Sequence, residues 1–193
     1  MNKQVLAVMF CTALIASCVP QQQYQQEAQQ VQQLLYMNST YQQLNRQLLD
    51  EVKSDQVQIK QLKDRLQVTM VNQILFSEGG WEVDRKGKEL LARVAPTLSG
   101  LNGKQILIEG YTDSLPIEEP LKSRFPNNWY LSAARAIQVV EFLQTQGVDS
   151  SALVAVAHGQ YRPVEPNDTP EGRSKNRRIN IVITDRASQG EPL

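Results

Sequence analysis

Apolar and polar residues alternate most plainly near the end of the chain. In NRRINIVIT (176–184), Ile179, Ile181 and Ile183 interleave with Asn180, Val182 and Thr184. A period of two is that of a strand with one buried face. KQILIEGY (104–111) and ALVAVAHG (152–159) are denser apolar runs and predict two more strands, and VNQILF (71–76) predicts a short first one. Between the strands the period changes to that of a helix. EVDRKGKELLARVAPTLSG (82–100) sets Leu90, Leu91, Val94 and Leu98 on one stripe, with Asp84 as the expected N-cap and Gly100 at the end. NWYLSAARAIQVVEFLQTQG (128–147) predicts a second helix, with Asn128 as candidate cap and Gly147 as the residue past its end. The expected product is an α+β domain: a mixed four-stranded sheet with helices packed on one face.

The first part of the chain has a different texture. Residues 21–78 contain neither Gly nor Pro, and all ten glycines lie at 79 or later. A stretch free of helix breakers and rich in Gln, Leu, Lys and Glu predicts a long helix. Taken in sevens, Val31, Asn38, Asn45, Val52, Ile59 and Leu66 form one row and Leu34, Tyr41, Leu48, Asp55, Leu62 and Thr69 another. Eight of these twelve are apolar, which predicts a coiled-coil seam on which Asn38 and Asn45 would fix register. Residues 21–33, mostly Gln, are expected to be a frayed lead. A helix from 24 to 70 would reach roughly 70 Å. It would serve as a rod between a membrane and the domain, or else fold back onto the domain. Residues 31–69 are thus a surface for a second copy or a protein partner.

Lys3 followed by VLAVMFCTALIA (5–16) is a short positive region and an apolar run too short to span a bilayer, as in a secretory signal. Ala16 and Ser17 directly before Cys18 resemble the lipobox of bacterial lipoproteins. That resemblance implies cleavage before Cys18 and acylation of its thiol, with Val19 pointing to the outer membrane. The expected organisation is a signal peptide at 1–17, a lipid-anchored helical spacer at 18–70, the α+β domain at 71–185 and a flexible tail at 186–193.

Charge and cysteine content remove several classes. Lys+Arg and Asp+Glu are both 20, with no basic excess for phosphates, so nucleic acid is not an expected partner. Two cysteines, one expected to leave with the signal, and one histidine leave little for a metal site, and no cofactor is implied. No nucleophile elbow, phosphate-cradling loop, zinc-protease helix or dinucleotide fingerprint is present. His158 stands alone at a predicted strand end, where a structural role outweighs catalysis. An enzyme is not expected.

The candidate chemistry is elsewhere. Asp113 follows the buried run Ile106–Leu107–Ile108 at the mouth of a long loop, 114–127, which carries Pro116, Pro120 and Pro126. Arg135 sits on the second helix among Ala133, Ala134, Ile137 and Val140, where a guanidinium needs an acceptor or a cavity edge. A ligand with both an ammonium and a carboxylate would satisfy the two together. So would an ion pair between Asp113 and Arg135 that pins the loop.

GYTDSLPI, NNWYLSAARA, LVAVAHG and RPVEPNDTPEGRSKNRRINIVI, in this order, resemble the OmpA-like peptidoglycan-binding domain in the version seen in the MotB stator protein. The resemblance covers about residues 70–185. It implies the OmpA-like sandwich fold and a non-covalent grip on the diaminopimelate of the peptidoglycan stem peptide. Asp113 would take its ammonium and Arg135 its carboxylate. Asn128 matches a position that hydrogen-bonds the bound peptide, Arg177 another beside the pocket, and Thr112 a wall of it. Arg178, next along a strand, should face the opposite way. The implied function is that of an outer-membrane lipoprotein tethering the membrane to the cell wall, or a regulatory or assembly lipoprotein that uses the wall for location.

Overall fold

The computed structural model describes residues 20–63 and 65–186. The apolar run 5–16, Cys18 and most of the expected tail lie outside the described residues. The chain divides into two units, Met1–Ser39 and Thr40–Leu193. Helix α1 (Pro20–Gln47) begins in the first, and residues 21–33, expected as a frayed lead, are part of it. Within that unit Tyr24, Val31, Leu34 and Leu35 are exposed.

In the second unit the helix gives way at Leu48, whose φ of −115° and ψ of 21° leave the helical region, to a short α2 (Leu49–Lys53). Asp55, at φ +56°, turns the chain in the left-handed region that Asp tolerates better than most side chains. The sequence expected helix to residue 70. Instead β1 (Val57–Gln61) and β2 (Arg65–Val71) form an antiparallel hairpin, so Ile59 and Leu66 sit opposite Val68 and Gln61 rather than on a helical seam. RLQVTMV alternates exposed and buried along its length. Leu66, Val68 and Met70 are closed from solvent. The expected strand 71–76 is a 3₁₀ turn at Asn72–Ile74.

The remaining elements follow the sequence expectations closely, except for the added α5. They are α3 (Arg85–Ser99), β3 (Lys104–Tyr111), α4 (Asn128–Thr145) and β4 (Leu153–Gly159), then α5 (Pro170–Asn176) and β5 (Arg178–Asp185). Asp84 caps α3, its carboxylate accepting from Gly87 N at 2.8 Å. The cap of α4 is Asn127, not Asn128; its Oδ1 accepts from Trp129 N at 3.0 Å. Helix α5, for which no helix was expected, is capped by Thr169, whose hydroxyl accepts from Gly172 N at 3.0 Å.

The sheet has five strands rather than four, in the order β1-β2-β5-β3-β4. Neighbours are antiparallel except β3 and β4, which run parallel on either side of the crossover helix α4. Register stacks the apolar positions into rows. Val68, Ile181 and Ile108 lie side by side, as do Leu66, Ile183 and Ile106. Against this face pack Leu90, Leu91, Val94 and Leu98 of α3 and Leu131, Ala136, Val139 and Leu143 of α4, all buried. Fully burying each such aliphatic side chain contributes about 1.5–3 kcal/mol.

The contact between α4 and β3 is backbone-close. A Cβ on Gly110 would lie 2.2 Å from the Ser132 carbonyl oxygen, so only glycine fits there. The Ser132 hydroxyl then accepts from Gly159 N at 3.0 Å, tying the start of α4 to the end of β4. Thr112 N donates to the Gly159 carbonyl at 2.9 Å, which locks the end of β3 to the same point. Asp113 emerges from this knot.

Candidate functional site

Asp113 is buried, at 8% exposure. Its Oδ2 accepts from Arg177 Nη1 at 2.6 Å and its Oδ1 from Leu115 N at 3.1 Å. The cation paired with Asp113 is therefore Arg177, not Arg135. Arg177 reaches it from the junction of α5 and β5, while Arg178, one residue on, lies over the Tyr111 ring at 3.6 Å. Arg177 lies just before β5, and the two arginines reach different partners, Asp113 and Tyr111.

Arg135, at 6% exposure, projects from α4 over the Phe76 ring. Its Nε and Nη2 both donate to the Gly80 carbonyl, at 3.1 and 2.7 Å. Burial pushes its pKa down to about 10, with Asp113 pulling it back up and Arg177 pushing it lower still. At neutral pH it stays charged, and the fork that would suit a carboxylate rests on one backbone oxygen. Residues 77–81 present that oxygen. Trp81 packs edge-on against Phe125 at 5.6 Å, and Arg124 lies 4.2 Å over the Trp81 ring. The long loop 114–127 thus touches the segment that carries Gly80.

Arg135 and Arg177 share a cavity of about 540 Å³, whose wall also includes Asn72, Phe76, Glu78 and Asp84. Two guanidinium groups and two carboxylates in one open cavity suit a ligand that bears both signs of charge. None of Asn72, Phe76, Glu78 or Gly80 was singled out by the sequence. They lie in a turn and a loop whose only local signal is Gly79–Gly80, and nothing in their spacing relates them to Arg135.

Asn128 and Thr112 serve the scaffold around this cavity. Asn128 Nδ2 donates to Gln160 Oε1 at 2.8 Å, to the Leu115 carbonyl at 3.0 Å and more weakly to the Asp113 carbonyl at 3.4 Å. It staples the 114–127 loop and Gln160, just past β4, to the start of α4. The Thr112 hydroxyl, also buried, donates to the Asp113 carbonyl at 2.9 Å. Asn176, unforeseen from the sequence and closed from solvent, accepts from Val164 N and Glu165 N and donates to Asn167 Oδ1 at 2.9 Å. Asn167 Oδ1 in turn accepts from Ser114 N at 3.2 Å, which joins the segment between β4 and α5 to the residue after Asp113.

On the opposite face of the sheet lies a separate polar group. Tyr111 donates to Glu109 Oε2 at 2.7 Å and stacks on His158 at 4.6 Å. Burial and the Glu109 carboxylate both hold the Tyr111 phenol well above its ordinary pKa. Burial holds His158 below its ordinary value, against an opposing pull from Glu109.

A mixed sheet backed by two helices, with a buried acid at a strand end and a buried arginine on the crossover helix, defines an OmpA-like domain. The chain belongs to the OmpA family, whose pattern matches residues 75–177. It is 31% identical over 140 residues to motility protein B of Bacillus subtilis, spanning 72% of this chain and 52% of that one. It is 36% identical over 110 residues to the peptidoglycan-binding protein ArfA of Mycobacterium tuberculosis, spanning 57% of this chain and 32% of that one. The chain therefore spans about half or less of these relatives. Among solved structures, the cell wall anchor of the type VI secretion system of Pseudomonas aeruginosa superposes with a TM-score of 0.67 at 34% identity, over 74% of this chain and 97% of that one. The named relatives are peptidoglycan-binding, wall-anchoring or motility proteins rather than enzymes.

Proposed function

We propose that this chain is a lipoprotein of the outer membrane that holds peptidoglycan non-covalently through the diaminopimelate of the stem peptide. The observation that carries the reading is the buried Arg135 guanidinium, open to a cavity it shares with Arg177, beside the buried carboxylate of Asp113. A ligand ammonium would join Arg177 at Asp113, using lone pairs left by the two hydrogen bonds already there. A ligand carboxylate would take the Arg135 fork in place of, or together with, the Gly80 carbonyl. Exchanging a neutral acceptor for a charged one strengthens the hydrogen bonds of a buried cation. Asn128 and Thr112 fix the loop from which Asp113 projects, and Arg177 pairs with its carboxylate. Acylated Cys18 would anchor the chain, and many anchored copies facing one polymer would add by multivalency what a single clamp lacks. No cofactor and no turnover are part of this reading.

A second reading has support of its own. The motility protein and the secretion-system anchor suggest that wall binding could serve to locate a larger apparatus. The exposed Val31, Leu34 and Leu35 of α1 would then meet a protein partner or a second copy.

The test is retention on purified sacculi. The wild-type chain is expected to pellet with them. Asp113→Ala and Arg135→Ala are expected to stay folded, remain in the supernatant and release no soluble wall fragments. Equal pelleting of all three would reject the clamp.

A further inference from the structure

Two aromatic rings stand in solvent beside the candidate site. Trp129, 45% exposed, and Tyr161, 62% exposed, stack with their centroids 5.3 Å apart and their planes 28° from parallel. Trp129 lies in the first turn of α4, off the buried stripe of Asn128, Leu131 and Arg135, and Tyr161 comes just after β4. The backbone beneath each ring is held. Trp129 N donates to Asn127 Oδ1, and the Trp129 carbonyl accepts from the Ser132 hydroxyl at 3.0 Å. Tyr161 N donates to the His158 carbonyl at 3.3 Å. Neither ring fills the core. A pair of large aromatic side chains ordered at the surface marks a place of contact.

Short links join this pair to Asp113. Trp129 follows Asn128 in the chain, Tyr161 follows Gln160, and Asn128 Nδ2 donates to Gln160 Oε1 at 2.8 Å. The same Nδ2 reaches the carbonyls of Leu115 and Asp113. Leu115, itself exposed, gives its N–H to Asp113 Oδ1. One side-chain amide therefore ties the rings to the carboxylate, and a ligand seated at Asp113 can continue over Leu115 to Trp129 and Tyr161.

The surface has a definite chemistry. An aromatic face carries negative potential and attracts weakly positive C–H groups. A pyranose presents a flat patch of such C–H groups, with hydroxyls around its edge. The Asn127 and Gln160 amide oxygens are taken by Trp129 N and by Asn128, which leaves their NH₂ groups as the donors that sugar hydroxyls would use. Leu115, Asn127, Trp129, Gln160 and Tyr161 are all uncharged at neutral pH, so they suit a neutral ring rather than a phosphate. In the wall polymer the stem peptide hangs from a sugar. Two residues separate that sugar from diaminopimelate, a reach of roughly 7–10 Å when extended.

We propose that Trp129 and Tyr161 form a platform for a sugar ring of the glycan strand, the saccharide that carries the bound stem peptide. The proposal rests on the wall-binding reading above and extends the site from the amino-acid end of the ligand to its sugar end.

The experiment titrates the full chain with the disaccharide-tripeptide GlcNAc-MurNAc-L-Ala-γ-D-Glu-diaminopimelate and with the same tripeptide lacking sugars. The wild-type chain is expected to bind the sugar-bearing ligand about tenfold more tightly. Trp129→Ala and Tyr161→Ala are expected to keep the wild-type melting temperature and tripeptide affinity and to lose most of that advantage. Trp129→Phe, which retains a ring, should keep part of it. Equal affinity of the wild-type chain for the two ligands overturns the platform and leaves the clamp standing. Alanine variants that preserve the advantage also overturn it. So do variants that weaken both ligands alike, because the rings would then support the clamp instead of a sugar. A wild-type chain that binds neither ligand nor sacculi overturns the wall-binding reading itself, and the platform falls with it.

Discussion

Arg135 is charged and buried, and among the described residues it hydrogen-bonds to a backbone oxygen alone, so its contacts decide what it does. Lysine there would keep the charge and lose the fork, because an ammonium is a point donor. Arg135→Lys is therefore expected to reduce sacculus retention nearly as far as Arg135→Ala, with a smaller loss of stability, read by co-sedimentation and thermal melting. At Asp113 the expectation divides differently. Asp113→Asn keeps the shape and an acceptor for Leu115 N but leaves Arg177 without its counter-charge, so retention falls while stability drops by about 1–3 kcal/mol.

His158 gives a pH signature independent of the ligand site. It faces Glu109, Tyr111, Arg162 and Arg178, and burial holds its pKa below the ordinary 6.5. The unfolded chain accordingly takes up this proton first as pH falls through 6.5, and folding stability declines below that point. Above it the group is neutral in both states and contributes no slope. Melting temperatures at pH 7.5 and 5.5 are expected to differ more for the wild-type chain than for His158→Gln. Equal differences would show that His158 does not titrate with folding.

At the scale of elements, two junctions position the site. Gly110 lets α4 approach β3 to within backbone contact, and the Ser132 hydroxyl holds Gly159. Gly110→Ala would drive a Cβ into the Ser132 carbonyl and push α4 off the sheet, carrying Arg135 with it. Its cost is expected to reach about 3 kcal/mol, at the upper end for overpacking. Both melting and retention should record the change. The other junction is the start of α3. Asp84→Ala removes the cap on Gly87 N and is expected to cost about 1 kcal/mol. A fold that melts unchanged would show that α3 begins without it.

At the scale of the whole molecule, the β1–β2 hairpin sets where the folded domain starts. The family match begins at residue 75, yet β2 pairs with β5 along its full length and covers an edge that would otherwise be open. A fragment beginning at Thr40, the start of the second unit, is expected to fold and to pellet with sacculi. One beginning at residue 72 lacks both strands and exposes the edge of β5, so it should aggregate or melt far lower. Circular dichroism and gel filtration of the two fragments would decide this.

The sequence by itself determined α3, β3, α4, β4 and β5, though not the short α5. Their hydrophobic periods run long enough to be unambiguous, and the caps and closing glycines sit where periodicity ends. It also marked Asp113, Arg135 and Arg177 through motifs resembling a known domain. It misread residues 57–71, because Ile59 and Leu66 satisfy a seven-residue repeat while Leu66, Val68 and Met70 satisfy a repeat of two. The Gly- and Pro-free turn between the strands gave no warning. Pairing with β5 favours the strand, since the hydrogen bonds along that edge and the apolar row come from residues more than a hundred positions away. The same holds for the site. Burial period says that Arg135 lies near the core, but not that Gly80 meets it or that Arg177 rather than Arg135 pairs with Asp113. Those choices depend on distances between segments, and local pattern carries no information about distance until the chain has packed.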